Sequence, residues 1–266
     1  MKTCGEIAAW FDRRWPESLA ESWDNVGLLA GRAGKEVHTV YVALDATEAI
    51  IEAAIREGAD MLITHHPLIF GGVKHVSDRD ALGRRLLSLI AADISCYSGH
   101  TSFDIAKGGM ADLAAGRLGL FDETKELLPL EVTGEQDDAP VGIGKIGDLK
   151  EVCAVETLAK TVKERFGIPA VTVYSSGRPV RRAAISPGSG KSMGKAALLR
   201  GADVLITGDM GYHEGLDLVE EGVSLVDAGH YGLEHLFVEA VAEKLEAEEA
   251  GLRVVRAPVV YPYQIR

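Results

Sequence analysis

The sequence predicts an α/β protein made of two similar lobes, and three observations predict it. Short β-branched runs alternate with longer amphipathic ones along the 266-residue chain, the pattern of a sheet flanked by helices. The segment Gly58-Ala59-Asp60-Met61-Leu62-Ile63-Thr64 returns as Gly201-Ala202-Asp203-Val204-Leu205-Ile206-Thr207. A glycine, a histidine, three residues and a carboxylate occur as Gly99-His100-Thr101-Ser102-Phe103-Asp104 and again as Gly229-His230-Tyr231-Gly232-Leu233-Glu234. Two matched segments in the same order indicate an internal duplication.

The elements follow from local pattern. Ile7, Ala8, Phe11 and Trp15 have helical spacing, and that helix ends near Pro16, before a polar turn. Strands are expected over 39–44, 61–64 and 94–97, followed by helices from about Thr47, Asp78 and Gly109. The acidic stretch 122–140, which contains Pro129 and Pro140, reads as the boundary. The first lobe then spans 1–125 and the second 126–266. In the second lobe the same reasoning places strands over 141–146, 171–174, 183–185, 204–207 and 223–226. Helices are expected over 149–166, 193–200, 212–220 and 234–248, the last ending in a solvated acidic face at 243–249.

Composition excludes several classes. With 47% hydrophobic residues the chain buries one large core or two modest ones. A net charge of −12 and a pI near 5.2 argue against broad attraction to nucleic acid or anionic membranes. Cys4, Cys96 and Cys153 are widely spaced, so neither a disulfide framework nor a thiolate zinc site is indicated, and a reducing cytoplasm is the expected compartment. Glu6 and Asp12 interrupt the apolar pattern of the first residues, which argues against a signal peptide or membrane span.

The chemistry-bearing residues collect at the ends of the expected strands: His65, His66, Asp104, Asp209, His230 and Glu234, where ligands of α/β sheets gather. Imidazole nitrogen with carboxylate oxygen, and no thiolate, suits zinc, iron, manganese, cobalt or nickel. In His-x-x-x-Asp/Glu the two side chains share a face if the segment has entered a helix, close enough to share an ion. Adjacent His65 and His66 point apart on a regular strand, but at a strand end running into Pro67 they can address two neighbouring ions. Such a pair of ions activates water for hydrolysis. Each histidine alone has a duller reading as a capping or hydrogen-bonded structural residue. Four of the eight histidines at matched strand ends favour the site. His213, after Thr207-Gly208-Asp209, is a candidate for a substrate-facing or supporting role.

Two decoys are set aside. Gly188-Ser189-Gly190-Lys191-Ser192 resembles the end of a P-loop, but the required earlier glycine is Ile185. Cys96, near His100, lacks a carboxylate partner for nucleophilic catalysis, and an apolar strand is an ordinary place for a buried thiol.

Trp23-Asp24-Asn25-Val26-Gly27-Leu28, Ile63-Thr64-His65-His66-Pro67-Leu68, His100-Thr101-Ser102-Phe103-Asp104, Thr207-Gly208-Asp209 and Gly229-His230-Tyr231-Gly232-Leu233-Glu234 resemble the signature of the Nif-three-like dinuclear-metal family. Part of that family bears the name GTP cyclohydrolase I type 2. The resemblance implies two intertwined α/β lobes, a two-metal site in the cleft between them, and a hexameric ring. It implies that His65 and His230 hold one metal, His66 and Asp104 the other, and that Glu234 bridges. His100 would stand beside the metals or transfer protons, and with His213 supplies the catalytic candidates. The chain departs from the family at Ser102-Phe103, where many relatives carry a more polar pair, so contacts in the substrate pocket differ. The span 122–140 is also too short for the extra domain of longer members.

Two functions remain open on the sequence. The first is a metal-dependent hydrolase acting on a nucleotide or cyclic amide. The second is a noncatalytic metal carrier or oligomeric scaffold.

Overall fold

The computed structural model describes residues 2–266. A short strand β1 (Lys2–Thr3) leads into α1 (Cys4–Asp12), whose first turn is closed by a capping box between Thr3 and Glu6. The expected polar turn instead contains β2 (Gly27–Ala30) and β3 (Glu36–Val37). Next come β4 (Thr39–Ala43), α2 (Glu48–Arg56), β5 (Met61–Thr64), α3 (Ala81–Ala91) and β6 (Ser95–Ser98), close to the sequence expectation. Thr47 and Asp80 cap α2 and α3 through their side-chain oxygens. After β6 the chain enters α4 (His100–Ile105) at the histidine of the first Gly-His phrase, then α5 (Met110–Leu118).

Beyond α5 the expectation and the structure part. The stretch expected as a boundary holds β7 (Leu128–Gln136), which pairs antiparallel with β8 (Ala139–Cys153) through a turn at Asp137 and Asp138, both in the left-handed region. Prolines and acids lie on this hairpin because β7 is an edge strand with exposed outer positions. The helix expected over 149–166 begins only at α6 (Val155–Phe166), since β8 continues through Cys153. The rest follows the sequence reading: β9 (Thr172–Tyr174), β10 (Val180–Ser189), α7 (Met193–Leu199), β11 (Val204–Gly208), α8 (Tyr212–Glu220) and β12 (Ser224–Asp227). The helix expected over 234–248 is two: α9 (His230–Glu234) and α10 (Leu236–Glu248). A last strand, β13 (Arg253–Arg256), has no counterpart in the sequence expectation.

The chain divides into two compact units. The first comprises the residues to Ala106 and the returning segment Phe237–Val259; the second comprises Lys107–Leu236 and Val260–Arg266. The division therefore falls after α4, ahead of the 125/126 position read from composition. The β7–β8 hairpin belongs wholly to the second unit, and a polar, acidic strand edge carries the same composition as a linker.

The first unit holds a five-stranded sheet in the order β13-β4-β5-β6-β2, with β4, β5 and β6 parallel and β2 antiparallel at the edge. These central strands are buried throughout, which explains the apolar runs of β4 and β5; β6 buries Ser95 and Ser98 at its two ends. Phe11 is fully buried here, within 4.9 Å of Tyr97, 4.6 Å of Trp15 and 6.4 Å of Phe237 between ring centroids. Phe11→Ala is expected to lower unfolding free energy by about 3–5 kcal/mol in chemical denaturation. A loss below roughly 1 kcal/mol would show that this aromatic cluster does not organise the unit.

The second unit holds a six-stranded sheet in the order β7-β8-β10-β11-β12-β9. Its β10, β11 and β12 are parallel, and β9 closes the edge antiparallel to β12. In each unit, then, three parallel strands precede a helix that starts at the histidine of a Gly-His phrase. Among the described residues no helix is long and apolar enough to cross a membrane.

Candidate metal centre

In the first unit the strand ends are pinned before any side chain is aimed. His65 N donates to Ala43 O, His66 N to Leu44 O and His100 N to His65 O. The His66 carbonyl accepts from Thr64 Oγ1 and Ser98 Oγ, so the turn that leaves β5 is held by two buried hydroxyls. Three imidazoles meet on this frame: His65–His66, His65–His100 and His66–His100 lie 4.9, 5.4 and 5.6 Å apart between ring centroids. His65 is completely buried, and its Nε2 is 3.5 Å from Asp104 Oδ1.

Two of these histidines are oriented by carboxylates. His66 Nδ1 donates to Asp45 Oδ1 at 2.8 Å, and His100 Nδ1 donates to Asp24 Oδ1 at 2.8 Å. Burial pushes the Asp24 carboxyl up, yet hydrogen bonds from His100 and Thr101, with the charge of His100 and the Asn25 amide, hold it down at about 2. Asp24 is therefore an anion at neutral pH. It keeps a His100 proton on Nδ1 and fixes the orientation of the ring.

In the second unit the metal-type side chains stand on α9. His230 Nδ1 donates to Asp209 Oδ2 at 3.0 Å, and His230 Nε2 lies 2.8 Å from Glu234 Oε2 one helical turn on. Glu234 is 3% exposed. Asp209 occupies the left-handed region (φ 52°), which aspartate tolerates better than most residues. Asp227 binds Met210 N and Gly229 N, tying together the turns that follow β11 and β12.

The P-loop decoy acquires a different role here. Gly188 has φ +81°, and a Cβ built there would lie 2.6 Å from Glu234 Oε1 and 3.9 Å from His230 Nε2. The carboxylate thus approaches a backbone that only glycine leaves open. Gly188→Ala is expected to cost about 1–3 kcal/mol and to displace Glu234, lowering metal uptake. Gly167, at φ +64° with nothing within 4 Å of where a Cβ would stand, supplies the control. Equal thermal destabilisation and equal metal uptake in Gly167→Ala and Gly188→Ala would refute the cradle.

The donor set fits a divalent cation. Nitrogens and oxygens about 2.1 Å from a shared ion stand roughly 3 Å apart, which the His230–Glu234 separation of 2.8 Å approaches. His65, His66 and Glu234 each offer a ligand atom of metal-binding type. His213 is exposed on α8 and contacts the Tyr212 ring. Cys96 is buried, and burial pushes its thiol up to about 12, which removes it as a nucleophile. Sequence reasoning does not single out Asp45, and it meets Asp24 only inside a motif. Asp45 lies just past the end of β4, and the strand-end argument that finds His65 would find it too.

The model of the family described as Duf34/NIF3 (NGG1p interacting factor 3) matches residues 2–260. The chain belongs to the Duf34/NIF3 family. A Clostridium acetobutylicum relative named GTP cyclohydrolase 1 type 2 homolog is 34% identical over 232 residues, covering 87% of this chain and 85% of its own length. The Halalkalibacterium halodurans relative of the same name is 29% identical over 336 aligned positions, covering 89% of this chain and 90% of its own. That alignment is longer than this NIF3 chain itself, so the relative carries an insertion absent here. Among solved structures, a Bacillus cereus protein related to NIF3 superposes with a TM-score of 0.90 at 25% identity, over 100% of this chain and 99% of its own.

Proposed function

We propose that this NIF3-family protein is a dinuclear metal-dependent hydrolase acting on a nucleotide or cyclic amide, with His65, His66, Asp104, His230 and Glu234 as its ligands. By family resemblance His65 and His230 would hold one ion and His66 and Asp104 the other, with Glu234 available to both. The two units are diverged copies of one ancestor, and the molecule works as a homo-oligomer, a hexamer by family resemblance.

The observation that carries the reading is the recurrence of one device: His66, His100 and His230 are each held through Nδ1 by a carboxylate, Asp45, Asp24 and Asp209. Such partners fix the tautomer and the orientation of the ring, leaving Nε2 to face a metal or a substrate. Structural histidines have no need of three copies.

A pair of divalent ions supplies Lewis acidity and a nucleophile at neutral pH. The protein's own residues do the remainder. Asp45 and Asp209 orient His66 and His230 as ligands. Asp24 holds His100 so that Nε2 accepts a proton from the attacking group and returns it to the leaving group. His213 is the second candidate for proton transfer. The relatives' name motivates GTP as the first substrate to try.

Metal analysis of the purified and reloaded protein tests the reading, followed by incubation with GTP. Two equivalents per chain are expected, with at least one lost in His66→Ala, together with turnover that Glu234→Ala lacks. Full metal loading with no turnover of GTP or a broad panel of nucleotides and cyclic amides would replace the hydrolase by the metal carrier or scaffold.

A further inference from the structure

Two large aromatic side chains of the first unit are exposed beside His100. Trp23 is 61% and Phe70 58% exposed. Their ring centroids lie 5.9 and 5.7 Å from that of His100, and both rings stand nearly perpendicular to the imidazole, at 78° and 89°. They come from separate segments, the turn before β2 and the irregular stretch between β5 and α3. A hydrogen bond of 2.6 Å from Asn25 Nδ2 to Ile69 O ties those segments together one or two residues from each ring. Behind the imidazole, Asp24 fixes His100 and also receives Thr101 N and Thr101 Oγ1. The side bearing Trp23 and Phe70 is thus both anchored and open.

Core packing does not explain these rings, because the aromatic cluster of this unit is already built from Trp10, Phe11, Trp15, Tyr97 and Phe103, all at most 1% exposed. Exposed indole and phenyl faces beside a polar nitrogen suit a flat ligand that stacks on carbon and hydrogen-bonds at its edge. We propose that Trp23 and Phe70 form a stacking site for a planar nitrogen heterocycle, a nucleobase, delivered to His100. The proposal rests on the hydrolase reading for the role of His100 and adds what selects the substrate: the base rather than the phosphates.

The protein carries its own reporter. Of its three tryptophans, Trp10 and Trp15 are buried at 1% exposure, so solvent-exposed emission comes from Trp23. Titration of the metal-free and the metal-loaded protein with guanosine, adenosine and ribose 5-phosphate, followed by tryptophan fluorescence, tests the site. Saturable quenching by at least one nucleoside is expected, with none by ribose 5-phosphate and none in Trp23→Phe. Phe70→Ala is expected to raise the dissociation constant at least about tenfold, with the melting temperature unchanged, and Phe70→Tyr to restore binding. Equal quenching by ribose 5-phosphate, or no saturable quenching by either nucleoside, overturns the proposal. So does Trp23 emission that follows protein concentration instead of nucleoside. Nucleoside binding, with no turnover of GTP or of the wider panel by the metal-loaded protein, leaves the stacking site standing and removes the hydrolase; turnover of a base-free substrate without nucleoside binding does the reverse.

Discussion

Glu234→Ala is expected to strip the protein of most of its bound metal and to erase the stabilisation that metal confers. Glu234 sits at the end of α9, 3% exposed, with Oε2 2.8 Å from His230 Nε2 and Oε1 against the open backbone of Gly188. A buried carboxylate in such a position is costly without a cation. If it bridges two ions, its loss weakens both at once. A ligand at a thousandfold excess over its dissociation constant stabilises by about 4 kcal/mol, which in a chain of this size raises the melting temperature by about 10 °C. Wild-type protein should show that rise on loading with zinc or manganese after chelation, and Glu234→Ala should not. Calorimetric melting with metal analysis of the same samples decides the matter. A variant that keeps its full metal complement and its shift would remove Glu234 from the ligand set.

Asp24→Asn should be nearly as damaging, by a different route. The side chain is fully buried and accepts from His100 Nδ1, Thr101 N and Thr101 Oγ1. An amide cannot accept all of these, and its NH2 faces donors, so a cost of about 2–4 kcal/mol is expected. His100 would also lose the anion that fixes its tautomer, and turnover should fall by roughly two orders of magnitude or more. The pH dependence identifies the cause. The carboxyl is held at about 2 in the folded protein, against an ordinary value near 3.8. Its contribution is thus fully present above about pH 4 and disappears as pH falls toward 2, a change of about 2 kcal/mol. Denaturation from pH 7 to 2 should show wild-type stability converging on that of Asp24→Asn across that window. A constant gap through the window would mean that Asp24 acts by shape alone.

Much of the fold was legible because its signals are local. The runs 39–44, 61–64 and 204–207 are apolar over the length of a strand and are flanked by turn residues, so they declare β4, β5 and β11. Thr47 marks the start of α2 by capping chemistry, whereas the start expected at about Asp78 falls slightly later, at the Asp80 cap of α3. The hairpin β7–β8 escapes such reading because an exposed edge strand needs little apolar surface, and acids with prolines look the same on an edge as in a linker. The return of α10 and β13 to the first unit was invisible, since no local pattern reports which sheet a distant strand will join.

The Gly-His phrase divides along the same line. By itself the sequence determined that a glycine precedes a histidine with a carboxylate one helical turn later, at the ends of corresponding strands, because spacing and side-chain type are properties of the chain. Only tertiary structure decided why each glycine is there. Gly99 has ordinary backbone angles but lies against the Phe11 ring, 2.4 Å from where a Cβ would stand. Gly229 instead needs φ +73° and has the Tyr263 hydroxyl overhead. The carboxylates that hold His66, His100 and His230 were likewise decided in three dimensions. Asp45, Asp24 and Asp209 lie 21, 76 and 21 residues from the rings they orient. A hydrogen bond across such separations exists only once the strands have set both ends side by side.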